Sequence, residues 1–172
     1  IAALDVTGNA SSVHGEGRRA RGVVEAAREE IARLAGANPS EVVFTSGATE
    51  ANAWAMAQGW DTIFVAGIEH DSVLAPAKAS GAKIIEIPVG ADGVAHIDEL
   101  ARNITIGVKP DGKSGRALVV LQMANNETGV LQPVREAALL AHERGALLHT
   151  DAAQVVGRID VSFAELEADA LT

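Results

Sequence analysis

The chain has 172 residues, 48% of them hydrophobic, and no cysteine, so it is long enough to bury a core and holds no disulfide or thiolate metal site of its own. Its formal charge of −9 argues against nucleic acid as a partner, because phosphate binding needs a basic stripe, and Arg18, Arg19 and Arg21, the one basic cluster, read as a solvated helix face. No apolar run approaches the roughly 18 residues that cross a bilayer and no signal-peptide pattern opens the sequence, so a soluble, cytoplasmic protein without a membrane partner is expected.

The chain starts at Ile1-Ala2-Ala3 without an initiator Met, and a preceding natural segment is expected. Val23, Val24, Ala27, Ile31 and Leu34 recur at helical spacing, and Gly36 is a plausible stop. Glu41 to Thr45 reads as a strand, followed by a helix over 48–58. Strands are expected at 62–66 and 83–87. Between them, 71–79 looks helical, with Asp71 or Ser72 as cap and Pro76 as a blemish. A turn at 91–93, a short helix over 97–102 and a polar loop over 108–115 come next. Residues 117–122 form a strongly apolar strand, expected to be buried on both faces. Pro133 opens a helix running to Arg144, and 146–149 is a strand. Ser162 to Glu165 fits a capping box, and 169–172 begins another strand. Strands alternating with helices predict an α/β fold with a largely parallel sheet covered on both faces, and ligands in such sheets sit beyond the carboxyl ends of the strands.

Four strand ends carry polar groups. Thr45-Ser46-Gly47-Ala48-Thr49-Glu50 joins a strand to a helix start, whose free N–H groups and the Thr49 hydroxyl suit a phosphate; an ordinary capped turn is the plain alternative. His70 could lie over a flat ligand and exchange protons, or be a cap or a satisfied surface histidine. Asn125-Asn126-Glu127 offers amides for a ring substituent or a carboxylate, or a loop held by Asx turns. His149-Thr150-Asp151 followed by Gln154 delivers a carboxylate that could pair with a protonated ring nitrogen. His149 and Asp151 also suggest metal ligands, but that reading needs a third or fourth ligand, and His70 could supply one only by coincidence. His14 fits a cap for the first helix, and His96 and His142 look like surface residues.

Taken in order, the stretches GNASSVHGEGRRAR, EVVFTSGATEAN, EHDSVL, ANNETGVLQP and HTDAAQVVGRIDV resemble the cysteine desulfurases (NifS/IscS-like), in the class V aminotransferase group of fold-type I pyridoxal-phosphate (PLP) enzymes. The resemblance covers nearly the whole chain. It implies a three-layer αβα large domain with a mainly parallel sheet, partial over 1–172, with the small C-terminal domain absent. It implies PLP as cofactor. Ala48 and Thr49 would bind its phosphate, and His70 would stack on the ring and assist proton transfer. Asn126 would contact the cofactor and the substrate carboxylate, Asp151 the ring nitrogen and Gln154 the phenolic oxygen. The substrate would be L-cysteine. The family transfers its sulfur to an enzyme cysteine, releasing alanine and leaving a persulfide for a sulfur acceptor such as an iron–sulfur scaffold protein. The family is typically a homodimer.

Departures bear on activity. In the family the PLP lysine follows the DAAQ segment, whereas Lys78, Lys83, Lys109 and Lys113 all precede Asp151. That lysine is expected a few residues past Thr172. The cysteine loop and substrate-binding arginine have no counterpart, and the stretch between Thr49 and His70 looks shortened. The parent protein is therefore expected to be the enzyme and the 172 residues alone to be inactive. A selenocysteine lyase, another class V relative, or a non-catalytic scaffold of the same fold are the alternatives.

Overall fold

The computed structural model describes residues 5–104 and 114–172, and most of the polar loop expected over 108–115 lies outside them. The chain divides into two compact units: the described residues through Val43 together with Asp160–Ser162, and Phe44–Ile159 with Phe163–Thr172.

The first unit is built on helix α1, Gly15–Ala35. Gly36 ends it in the left-handed conformation at φ 64°, and the Ala37 N–H returns to the Ala32 carbonyl at 2.8 Å, which satisfies one of the last free carbonyls of the helix. His14 is the N-cap residue but lends no side-chain hydrogen bond. Gly17 is required by close approach: a Cβ there would lie 2.7 Å from the Asn9 carbonyl and from Ser12. Arg18, Arg19 and Arg21 are exposed, as expected. Val23, Val24, Ile31 and Leu34 form the predicted helical stripe, yet all four are exposed.

The strand expected over 41–45 is absent. Pro39–Glu41 is a 3-10 turn in which the Glu41 carboxylate accepts the Asn38 N–H at 2.7 Å, and the five-strand order of the sheet closes without the residues that follow. Val43 is 61% exposed, so its strand-like composition is not matched by strand-like burial.

The second unit holds the sheet. Its elements are α2 (Ala48–Met56), β1 (Thr62–Ala66), α3 (Asp71–Ala79), β2 (Lys83–Ile87), α4 (Ile97–Asn103), β3 (Ala117–Val120), α5 (Val134–Glu143), β4 (Leu147–Thr150), α6 (Phe163–Leu166) and β5 (Ala170–Leu171). The strands lie in the order β2-β1-β3-β4-β5, and every pair is parallel. Strand alternation sorts side chains to two faces. On one face Ile63, Val65, Leu118 and Val120 pack with Met56 of α2 and with Val73 and Ala77 of α3. On the other, Phe64, Ala66, Val119 and Leu148 pack with Leu100 of α4 and with Ala137, Ala138 and Ala141 of α5. This is the three-layer αβα arrangement with a parallel sheet. It explains why β3 reads as an unbroken apolar run: all four of its residues are buried, alternately under the two helical layers. Aromatics are scarce, so small alanines on α5 let that helix lie close against β3 and β4.

Candidate active site

Three of the four polar groups singled out in the sequence follow the ends of β1, β3 and β4, whereas residues 45–50 lead into α2 with no strand before them among the described residues. Helix α2 begins at Gly47, whose position as N-cap leaves the helix without a side-chain cap. The first N–H groups of a helix have no carbonyl partner within it, so Ala48 and Thr49 present donors to an anion. Glu50 already occupies part of this turn: its carboxylate accepts the Ser46 N–H at 2.6 Å, and that bond holds it below the usual carboxylate range.

One turn further along α2, about 6 Å at 1.5 Å per residue, lies Asn52, which is fully buried. Its Nδ2 donates to the Asp151 Oδ2 at 2.8 Å and to the Ser72 hydroxyl at 3.0 Å. Its Oδ1 therefore faces His149 Nε2 at 3.0 Å, so that nitrogen carries the proton and donates. The Asp151 carboxylate, just past β4, takes a second donor, the Ala153 N–H, on Oδ1 at 2.9 Å. Two donors fix its orientation.

His70 caps α3, in place of the Asp71 or Ser72 expected from sequence. Its Nδ1 accepts the Ser72 N–H at 3.1 Å and lies 2.8 Å from the Ser72 hydroxyl. With Nδ1 accepting, the proton of the neutral ring sits on Nε2. The ring is exposed. Ser72, between Asn52 and His70, accepts from the first and donates to the second.

Glu69 is 5% exposed. Its Oε1 accepts the Gln122 N–H at 2.6 Å, while Oε2 has no hydrogen-bond partner among the described residues. Burial pushes this carboxyl up to about 8; the Gln122 N–H opposes the rise and the charge of Asp151 adds to it. Glu69 is thus a neutral acid near pH 7. His149 is shifted the other way: burial pulls it down to about 4 against the attraction of Asp151, so it stays neutral, and its Nδ1 has no hydrogen-bond partner among the described residues. The buried Thr150 hydroxyl is also without a partner among the described residues.

Asn125 and Asn126 play different parts. Asn125 reaches back to the Ile68 carbonyl at 3.1 Å, and its Oδ1 accepts the N–H groups of Glu127 and Thr128, as in the Asx-turn alternative. This ties the loop after β3 to the residues before Glu69 and leaves the Asn126 side chain exposed. Gln154 is exposed in the turn after β4. Among the described residues neither side chain hydrogen-bonds to the others of the site. The structure therefore brings the α2 start, His70 and Asp151 together through Asn52. Asn126 and Gln154 stand in the loops after the neighbouring strands β3 and β4.

Asn52 was not singled out from sequence and Ser72 only as a candidate helix cap, although both lie inside quoted motifs. The available signal was an amide embedded in the alanine-rich run Ala48–Met56, on a helix with little polar surface. Among the described residues no group of three or more His, Asp or Glu side chains is placed to hold a metal ion, and His149 is committed to Asn52. His142, expected to stand alone at the surface, has Nε2 2.9 Å from the Asp169 carboxylate. Among the described residues no helix is long and apolar enough to cross a membrane.

The site's residues fit PLP by the chemistry of the donor set: uncapped N–H groups for a phosphate, an anchored carboxylate for a protonated ring nitrogen, and an exposed imidazole beside them. Comparison with known proteins points the same way. A cysteine desulfurase of Enterobacter agglomerans is 41% identical, over 98% of this chain and 42% of its own length. The structure of a NifS-like protein from Rickettsia africae superposes with a TM-score of 0.85 at 30% identity, over 99% of this chain and 48% of that one. That of SspA in complex with cysteine superposes with a TM-score of 0.82 at 29% identity, covering 98% of this chain and 50% of that one. The chain spans about two fifths of the length of the curated relatives it matches. The family description Aminotransferase class-V matches residues 3–172, and the chain belongs to that family.

Proposed function

We propose that residues 1–172 are the cofactor-binding part of a PLP-dependent cysteine desulfurase. The observation that carries the reading is the Asp151 carboxylate, held at the end of β4 by two donors, one of them Asn52, which lies one helical turn along α2 from its uncapped start. PLP, when bound, supplies an electron sink for the α-carbon of an amino acid. The chain's own residues do the rest. Asp151 would accept a hydrogen bond from the ring nitrogen and keep that nitrogen protonated. Ala48 and Thr49 would bind the phosphate through their N–H groups, with the Thr49 hydroxyl as a further donor. His70 would meet the ring and hold a transferable proton at Nε2. Asn126 would serve the substrate carboxylate, and Gln154 the phenolic oxygen.

The substrate proposed is L-cysteine, supported by the names of the relatives and by the neighbour solved with cysteine. In the overall change the substrate's C–S bond breaks, its sulfur joins an enzyme thiol as a persulfide, and alanine is released. No cysteine is present in these 172 residues, so the parent protein supplies that thiol. The parent enzyme is proposed to act as a homodimer and to pass sulfur to an acceptor such as an iron–sulfur scaffold.

Titration of the chain with PLP, followed by quenching of Trp54 and Trp60 fluorescence, tests the cofactor reading. Saturable one-to-one binding is expected, weakened at least about tenfold by Asp151→Asn, which removes a charged hydrogen-bond acceptor. No saturable binding, or equal affinity in the variant, would overturn it.

A further inference from the structure

Among the described residues Asn52 is the side chain that hydrogen-bonds both to the Asp151 carboxylate and to Ser72 of the histidine arm, and it is fully buried on α2. Each of its hydrogen-bonding directions has a partner of the opposite kind. Oδ1 accepts from His149 Nε2. Nδ2 donates to Asp151 Oδ2 and to Ser72 Oγ. The amide cannot be flipped without facing its oxygen to a carboxylate and its N–H groups to an imidazole N–H. Asp151 blocks the flip in particular, because the amide oxygen would then face a carboxylate oxygen at 2.8 Å.

The direction set at Asn52 carries on to Ser72. A hydroxyl that accepts from an amide N–H turns its own proton elsewhere, and the nearest acceptor is His70 Nδ1 at 2.8 Å. The backbone N–H of Ser72 meets the same nitrogen at 3.1 Å. His70 is thereby pinned by its Nδ1 side, and Nε2 is the nitrogen left free.

We infer that Asn52 is a positioning residue: one buried amide orients the Asp151 carboxylate directly and the His70 ring through the Ser72 hydroxyl, so that the two groups engaging the cofactor are set by a single side chain. The relevance to catalysis rests on the PLP reading above; the geometry does not. The arrangement also gives the site a mechanical tie, since α2, α3 and the end of β4 are joined at one polar point beneath an otherwise apolar layer.

The test uses Asn52→Asp, which keeps shape but replaces the two N–H donors by an acceptor. The Ser72 hydroxyl then turns to donate to residue 52, and the hydroxyl donor to His70 Nδ1 is lost. Ser72→Ala removes that same donor and leaves the Asn52 contacts to Asp151 and His149 in place. In the cofactor-free chain, long-range 1H–15N spectra of the histidines report the hydrogen bonding of each ring nitrogen, and far-UV circular dichroism reports folding. Asn52→Asp is expected to move the His70 Nδ1 resonance downfield although the two residues do not touch, and Ser72→Ala to move it the same way. A His70 Nδ1 signal unmoved in the folded variants overturns the inference, and if Asn52→Asp fails to fold, Ser72→Ala decides alone. With PLP, Asn52→Asp is expected to weaken binding about tenfold and Ser72→Ala distinctly less, because only the first disturbs Asp151. PLP affinity in Asn52→Asp equal to that of the wild type overturns the tie to Asp151. A wild-type chain that gives the expected His70 signature but binds no PLP supports the positioning network and refutes the cofactor reading.

Discussion

The Glu69→Gln substitution should flatten the fall of stability with rising pH. In the folded chain this carboxyl is buried and pushed up to about 8 from an ordinary value of 4.5. The folded state therefore holds a proton that the unfolded state releases. A group raised on folding contributes stability that is complete below its unfolded value and is lost as pH climbs towards its folded value. Glu69 thus lowers stability progressively between pH 4.5 and about 8. Within this window the slope approaches ~1.4 kcal/mol per pH unit, so raising the pH from about 6.5 to about 8 should cost roughly 2 kcal/mol. Gln keeps the Oε1 that accepts the Gln122 N–H at 2.6 Å and has nothing to ionise. Urea unfolding at several pH values would measure the slope. Trp54 and Trp60 both lie in the second unit, so their fluorescence follows the unit that holds Glu69. Comparing variant with wild type cancels other groups titrating in the same range. Equal slopes in the two proteins would mean that Glu69 is already ionised when folded, and would refute its assignment as a neutral acid.

Two further outcomes follow from the interior. His149 is held down at about 4, so the folded state resists a proton that the unfolded state takes up below about 6.5; stability is lost as pH falls through that window, by up to roughly 3 kcal/mol, and acid unfolding followed by circular dichroism should be shallower in His149→Gln. Phe64 on β1 is 1% exposed beneath α4 and α5, and Phe64→Ala should destabilise the second unit by about 3–5 kcal/mol in urea titrations, since the removed ring leaves a cavity between sheet and helices.

Sequence reading located the parallel sheet and its helices well because β1, β2, β3 and β4 are short apolar runs bounded by turn residues, a signal intrinsic to each segment. It failed at 41–45, where the residues have strand character but no place in the strand order; pairing is a tertiary property that composition does not record. His70 and Asp151 were legible because they follow strand ends, and the α2 start because a glycine-led, uncapped helix start offers free N–H groups, although the strand expected before it is absent. Asn52 was not, since a polar residue in a helix normally faces water. Its burial depends on Asp151 and His149, nearly a hundred residues away in the chain, and on Ser72. Glu69 was noticed only as the neighbour of His70, because its burial comes from packing against the loop at Gln122. The pairing of His142 with Asp169 was missed for the same reason. The polar groups proposed to meet a ligand were readable locally, whereas the polar groups that hold them in place required the fold.

The strand order has a temporal consequence. β1 pairs with β2 on one side and with β3 on the other, and β3 lies about fifty residues further along the chain. On a ribosome adding roughly 5–20 residues per second, β2 follows β1 within about 1 to 4 s, whereas the second edge of β1 waits roughly 3 to 10 s for its partner. During that interval Ile63, Phe64 and Val65 line a bare edge with apolar faces. The nascent chain is then most open to mispairing and to chaperone capture, before β3 arrives to close the centre of the sheet.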